Sequence, residues 1–487
     1  MRQTITSDSD NGTTRRRIPA KRKNTVRAIV RGSAFGFGLS LLLFLAANWT
    51  ARLRFQTLVN ERHRAGERVV LEDFQTAPLP DDQNAATYLE RAAKCFELDW
   101  RRGWVYYGVS DYELPDEARD TVREILLKHP EILPLLRRAD SCDKADWHAK
   151  WRSPIIENLD LKFINRQRQL GQILYPYGVD QHELGNDLAA LECVEHLLTI
   201  ARAIDQQPDY ASHRAACSFD EYAAQLCLRI SLRKLSAHAN ANVDRGEFNR
   251  AAKKLISEFL DDDSRIYRAK QAWLEHRVEM VDGLLNPSVP AVARFADGPL
   301  LYWTAGDHMQ AYDALLCACQ AKRWSDARDE YGRKAVTTKF ALFDETCPPL
   351  GQLEPQFESM TARHAAALAL ALRLYADDHN GQYPADLQNL VPRYLVSIPS
   401  DPFGGPGATL KYLPGNRPAV YSVSYDGIDS HGDRAASIDP EGGPTLSPWR
   451  ARDAVFPLGG ALLPADKLPK KVIIHTGVAV RVPVKRH

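Results

Sequence analysis

An uncharged segment near the amino terminus constrains this chain most. Residues 32–49 (GSAFGFGLSLLLFLAANW) carry no charge and directly follow a basic run that ends at Arg31. Eighteen such residues reach the length needed to cross the hydrocarbon of a bilayer, and Trp49 stands where an interfacial aromatic anchors a span. The basic flank predicts that residues 1–31 are cytoplasmic and that the rest of the chain is exported. We therefore expect a single-pass protein of the cytoplasmic membrane.

A cleaved signal peptide is the alternative interpretation of this segment. Its apolar region would be unusually long, and Leu45-Ala46-Ala47 is a poor match to the A-x-A pattern of a cleavage site. A twin-arginine export signal would use Arg15-Arg16, but Pro19 and Ala20 fit that signal poorly. The length and the flanks favour a retained anchor.

Composition limits the remaining possibilities. A chain of 487 residues is too long for one ordinary core, so two or three domains are expected. Its 63 lysines and arginines nearly equal its 62 aspartates and glutamates, which removes the bulk electrostatic argument for nucleic acid as a partner. The eight cysteines are scattered without a C-x-x-C pair, and several lie in apolar helical stretches where cysteine serves as a small hydrophobe. Export permits disulfides, and we expect one or two at most.

The middle of the chain has the pattern of a helical domain. Residues 50–81 form a charged stalk, and residues 82–350 follow with apolar side chains at three- and four-residue steps. This spacing predicts an antiparallel helical array or bundle. The segments that carry it most clearly are 84–98, 115–129, 183–204, 218–237 and 246–260.

The pattern changes at Pro355. A further helix is predicted over about 356–379, with an apolar stripe that runs from Phe357 to Tyr375, and Asn380-Gly381 supplies the left-handed turn that ends it. Short strands separated by Gly and Pro turns follow at 409–413, 419–424 and 453–457. The tail, 459–487, begins as a linker and contains one possible β-hairpin. The expected fold class is therefore mainly α, with a small α+β module over residues 355–458.

The module resembles the carboxy-terminal part of the major pseudopilin of type II secretion systems. Four motifs occur in the family's order, at Asn380-Gly381-Gln382-Tyr383-Pro384, Tyr394-Leu395, Pro399-Ser400-Asp401-Pro402-Phe403-Gly404 and Tyr421-Ser422-Val423-Ser424-Tyr425-Asp426-Gly427. They cover about a fifth of the chain, within residues 360–458. The chain departs from the family after Gly36-Phe37, where the family's glutamate is absent, and about 300 residues separate the anchor from the module. We therefore do not expect polymerisation into a pseudopilus.

The resemblance implies a calcium site, because the acidic loop of the family binds this ion. The matching side chains here are Asp426, Asp429, Asp433 and Asp453. Calcium takes six to eight oxygen ligands from carboxylates and carbonyls on a flexible loop, and Gly427 and Gly432 permit tight turns here. The alternative is a solvated loop of turn-forming Asp and Gly, and nearby Arg434 would oppose a cation.

Candidate catalytic residues are few. Glu192 and His196 share one helical face at i, i+4, and His276 and Glu279 have i, i+3 spacing, as metal ligands on a helix would. Both pairs lie in charged amphipathic helices, where exposed ion pairs are the commoner arrangement. The aromatic run over residues 100–107 could form a ligand platform or pack onto the helices. The sequence contains neither H-E-x-x-H nor G-x-S-x-G.

These patterns favour a non-enzymatic role. We expect an exported, membrane-anchored scaffold or partner-binding protein with a calcium-stabilised module, docking to another protein of the cell envelope. An exported metal-dependent enzyme with its site in the helical domain is the alternative, and an atypical type II secretion component is another.

Overall fold

The predicted amino-terminal anchor is part of one long helix. The structure, a computed structural model, describes residues 20–98, 113–231, 245–286, 291–334, 349–415, 418–434, 448–458, 471–474 and 478–481. Helix α1 (Ala20–Arg64) contains the predicted span and continues through the first part of the predicted stalk. Its segment from Arg31 onward is the one helix, within these ranges, that is long and apolar enough to cross a membrane.

The prediction of a mainly helical protein is confirmed. Most of the predicted helices are present, with shifted ends: the segment predicted at 218–237 forms a helix that starts earlier, at Tyr210. The helices that follow α1 are α2 (Ala85–Ala93), α3 (Asp116–Lys128), α4 (Ile132–Asp140), α5 (Ile155–Asn158), α6 (Lys162–Glu183), α7 (Asp187–Asp205), α8 (Tyr210–Ser231), α9 (Arg245–Phe259), α10 (Asp262–Leu285), α11 (Ala291–Ala318), α12 (Trp324–Lys334) and α13 (Glu354–Asp378).

Helix α13 is the centre of the molecule. The sequence predicted one apolar stripe, but nearly every side chain from Gln356 to Ala376 is buried, because α8 and α9 pack against it. A helix that is covered on all sides needs small residues at its contacts, and alanines supply them. One hydrophobic cluster runs from Phe74 to Leu458, so residues on both sides of Pro355 share a core.

The small sheet follows α13 in the chain and contacts it through β2. Strands β1 (Lys411–Leu413), β2 (Ala419–Ser422) and β3 (Ala454–Pro457) form an antiparallel sheet in the order β1-β2-β3, close to the positions that the sequence indicates. The turn after α13 has the left-handed backbone expected of Asn-Gly, with φ of 54° at Asn380 and 85° at Gly381. In the tail, β4 (Lys471–Ile474) pairs with β5 (Val478–Arg481) as an antiparallel hairpin.

Candidate functional site

The predicted calcium loop is organised around one buried carboxylate. Asp453 precedes β3 and is fully buried, and its oxygens accept hydrogen bonds from the backbone N–H groups of Ser430 (3.3 Å), Gly432 (2.7 Å) and Asp433 (3.2 Å). The backbone N–H of Asp453 in turn donates to the carbonyl of Asp433. Three converging N–H groups make an anion-binding concavity, and the protein's own carboxylate occupies it.

The other three predicted ligands have separate partners. Asp426 accepts from the backbone of Ile428, and Asp429 accepts from the Tyr421 hydroxyl and from the backbone of His431. Asp433 lies 3.2 Å from the Arg452 guanidinium. No group of three or more His, Cys, Asp or Glu side chains placed to hold a metal occurs within the described ranges. Calcium binding therefore stays a prediction.

Asp401, in the third motif, ties the module together. Its buried carboxylate accepts from the Ser422 hydroxyl (2.7 Å) and from the backbone N–H groups of Val423 and Phe403 (3.0 Å each). Burial raises the pKa of Asp401 even though these bonds favour its charged form. The motif is compact, because a Cβ on Gly404 would lie 2.6 Å from Ala408.

Aromatic packing joins the module to the helices. Phe403 contacts the rings of Phe357, Tyr425 and Trp449, and Trp324 of α12 packs edge-on against Phe357. The backbone N–H of Trp324 donates to the carbonyl of Pro402 at 2.8 Å. These contacts make the module part of the body of the protein.

The first predicted metal pair is divided between different partners. Glu192 forms an ion pair with Arg137, while His196 is buried with its Nδ1 2.7 Å from Asp140 Oδ2. In the second pair, His276 and Glu279 contact each other, with 2.9 Å between Nδ1 and Oε2, and His276 stacks on Tyr210. In both pairs, therefore, the side chains are already engaged with other side chains. The aromatic run at 100–107 lies outside the described residues.

A buried charged network between α7, α8, α10 and α13 was not predicted. His213 Nδ1 lies 2.7 Å from Asp205 Oδ1, and Arg265 contacts both Asp205 and Asp220. Burial acts to raise the pKa of Asp205, but His213 and Arg265 outweigh it, so that pKa is lowered. Burial acts to lower the pKa of His213, but Cys217 and Asp205 hold it well above its usual value.

Three side chains of this network, Cys217, His213 and Asp205, are arranged like the nucleophile, base and acid of a catalytic triad. Cys217 Sγ lies 3.8 Å from Nε2 of His213, whose other nitrogen contacts Asp205. Cys217 and His213 are both about 5 % exposed, and neither lines a described cavity. A thiol without access for a substrate is better explained as a structural group. The seven described cysteines are all free, and Cys347 lies outside the described residues.

A surface cleft combines concavity with unpaired positive charge. The cleft, of about 560 Å³, is formed by the segment after α1, the 144–152 loop, the α7–α8 connection and one face of α10. This is within the size range of ligand sites. We call it the cationic cleft, because its lining includes five lysines and arginines: Arg68, Lys144, Lys150, Arg152 and Arg268.

The charges of the cationic cleft are not neutralised locally. None of its five cations has a carboxylate within salt-bridge distance among the described residues, whereas Arg119, Arg265 and Arg373 each have one. Asp146 is the one acidic residue of the lining, and its oxygens accept from the backbone of His148 and lie 3.3 Å from that imidazole. The cleft therefore presents an excess of positive charge to a ligand.

The floor of the cleft supplies apolar contact and a free hydrogen-bond donor. Phe74 and Trp151 pack together with 5.6 Å between ring centroids, and the Arg68 guanidinium lies 5.4 Å above the Phe74 ring. Gln207 is 6 % exposed, and its Nε2 has no hydrogen-bond partner among the described atoms. A buried donor of this kind is costly unless a ligand accepts from it.

Sequence reasoning missed the cleft because its cations come from three distant segments. Within each segment they resemble ordinary solvated charges. Comparison with protein-family models, with curated proteins and with solved structures finds no match to this chain. The functional assignment therefore depends on the geometry of the site.

Proposed function

We propose that this protein is a membrane-anchored, extracytoplasmic binding protein whose cationic cleft takes an acidic segment of another envelope protein. The observation that carries the proposal is the convergence of five cations without carboxylate partners on one concave, partly aromatic surface. Charged residues near such a cleft speed association with an oppositely charged partner and fix its register.

The anchor supports the membrane location. The side chains of Phe35, Phe37, Leu42 and Trp49 on α1 are between 65 % and 75 % exposed, which is unfavourable in water and favourable in lipid. Helix α1 continues for 15 residues beyond Trp49, a rise of about 22 Å. Arg68 follows four residues later, so the cationic cleft would face a partner close to the membrane surface.

The position of the cleft relative to the anchor is fixed by an ion-pair network. Arg277 of α10 is fully buried and donates to Glu67 at 2.9 Å, one residue before Arg68. Arg62, near the end of α1, contacts both Glu67 and Asp313 of α11. Membrane anchoring would therefore set the orientation of the cleft, as a scaffold requires.

The test is binding of fluorescent octaglutamate to the full chain in detergent, measured by anisotropy. We expect saturable binding that weakens as salt screens the charges. The double variant Lys150→Glu/Arg152→Glu should bind about tenfold more weakly, since two attractions become repulsions. The matched control, Arg250→Glu/Lys253→Glu, reverses two exposed cations of α9 that lie outside the cleft lining and should bind like the wild type.

Equal weakening in the two double variants would contradict the proposal, as would absence of saturable binding. Binding of inorganic triphosphate without any binding of octaglutamate would assign the cleft to a small phosphorylated ligand instead. The exported metal-dependent enzyme is less well supported, because Glu192, His196, His276 and Glu279 are each engaged with other side chains.

A calcium ion at the 424–434 loop is a second proposal, supported by the resemblance to the pseudopilins and by the exposure of Asp426 and Asp429. An ion that binds only the folded chain raises the thermal midpoint. The midpoint of the full chain should be higher in calcium than in chelator, and Asp426→Ala should abolish the difference. Identical midpoints in calcium and in chelator would contradict this site.

A further inference from the structure

Helix α11 runs parallel to the anchor helix along the same face. Gly298 approaches Asn48 so closely that a Cβ there would lie 3.1 Å from the Asn48 side-chain oxygen. Further along the two helices, Phe55 and Tyr302 are in ring contact (6.0 Å between centroids), and about four turns on from Asn48 and Gly298, Arg62 contacts Asp313. Residue numbers rise together along both helices, from Asn48 beside Gly298 to Arg62 beside Asp313, so the two helices run in the same direction.

The start of α11 therefore lies beside the uncharged part of α1. Ala291 is seven residues before Gly298, which corresponds to about 10 Å along the helix toward the level of Leu41. Phe44, one turn before Asn48, is half-buried, whereas Leu42 and Leu43 are more than 60 % exposed. The covered face of α1 thus extends into the 32–49 segment.

The sequence of this region suits a membrane boundary. Residues 283–303 (GLLNPSVPAVARFADGPLLYW) contain two charged residues, Arg294 and Asp297, and Leu300 is 45 % exposed. Arg52 and Arg54 of α1 lie over the rings of Tyr302 (5.0 Å) and Trp303 (5.8 Å). Aromatic rings paired with cations are typical of the headgroup level of a bilayer.

We propose that the first turns of α11, residues 291–303, insert into the outer leaflet beside α1 and form a second, non-spanning lipid contact. This inference rests on the proposed membrane anchoring by α1. The apolar part of α11 is too short to cross the bilayer, so the segment lies at the interface. Its occupant is lipid, because the start of α11 lies along the uncharged, exposed part of α1 and Leu300 is itself exposed. The insertion would hold the body of the protein in one orientation on the membrane.

The experiment measures depth in the bilayer. An environment-sensitive fluorescent amino acid is placed singly at position 42, 300 or 267 of the full chain, which is then reconstituted into vesicles with brominated lipid tails. Leu42 reports on the anchor, and Tyr267, exposed on α10 at the cationic cleft, is the aqueous control. We expect several-fold more quenching at 42 and at 300 than at 267.

The outcomes separate the two proposals. Quenching at 42 with none above the 267 level at 300 would overturn the inference and leave the anchor intact. Equal, low quenching at all three positions would overturn the anchor itself. Circular dichroism verifies folding, and Ala296, one turn before Leu300, gives the same test if the labelled Leu300 variant does not fold.

Discussion

Individual buried carboxylates organise the local structure of the module and of the helical core. Asp453 and Asp401 each accept three hydrogen bonds in the module, and Asp205 joins His213 and Arg265 in the helical core. Charge-assisted bonds in buried surroundings are about twice as strong as neutral ones. The acidic character of the 424–434 loop was visible in the sequence, but the burial of Asp453 was not, because it depends on how the loop returns to β3.

Replacement of Asp453 tests the organisation of that loop. Asp453→Asn removes the charge and replaces one acceptor oxygen by an NH2 group, which then faces backbone N–H donors. We therefore expect a loss of about 2–3 kcal/mol in the free energy of unfolding. Urea denaturation of the full chain measures it. Asp426→Asn is the control, since Asp426 is exposed and its one backbone bond is also available to asparagine. Equal losses in both variants would show that Asp453 is not the centre of the loop.

Asp209, the residue before α8, should make stability depend on pH. Burial raises its pKa from 3.8 to about 6, against the bonds from Ser212 that favour the charged form. Between these values the folded protein binds more protons than the unfolded chain, so stability falls as pH rises from about 4 to about 6. Asp209→Asn keeps the cap to Ser212 and removes the ionisation.

The measurement is the unfolding free energy of both proteins at several pH values. Relative to the wild type, Asp209→Asn should gain up to about 3 kcal/mol between pH 4 and pH 7. A difference between the two proteins that stays constant with pH would exclude Asp209 as the titrating group.

For individual helices and strands, local sequence signals were sufficient to predict position, but the packing between distant segments could not be predicted from them. The Asn380-Gly381 stop and the three strands lie close to where turn chemistry and alternation predict them. The environment of α13 was not predictable in the same way. By sequence its alanines are ordinary helix formers, and their burial depends on the packing of α8 and α9 against α13. For the same reason the cationic cleft, which joins four segments, has no signature within any of them.

The close packing around α13 predicts that a larger side chain on this helix will destabilise the protein. Ala366 is fully buried, and its carbonyl oxygen lies 3.7 Å from Cys227 Sγ of α8. Ala366→Leu should destabilise the protein by about 3 kcal/mol, because the helices cannot separate without strain. Ala211→Leu, at an exposed position in the first turn of α8, is the matched control for thermal denaturation. Similar midpoints for the two variants would mean that α13 is loosely packed.

At the scale of the whole molecule, ion pairs join helix α1, the helical body and the segment that begins the cationic cleft. The sequence predicted a stalk over residues 50–81, but α1 extends to Arg64 and its end is held by the network of Arg62, Glu67, Arg277 and Asp313. A cleft fixed relative to a membrane helix would present its partner at a defined height and orientation. This geometry is the basis for the proposed scaffold role.

Lysine footprinting tests the central claim, that the cationic cleft is where an acidic partner binds. The full chain is acylated with an amine-reactive reagent in the presence and absence of octaglutamate, and the modified lysines are quantified by mass spectrometry. We expect protection of Lys144 and Lys150, while Lys253, exposed on α9, reacts equally in both samples. Equal reactivity of all three lysines in the presence of bound octaglutamate would contradict it, because the acidic ligand would then lie elsewhere.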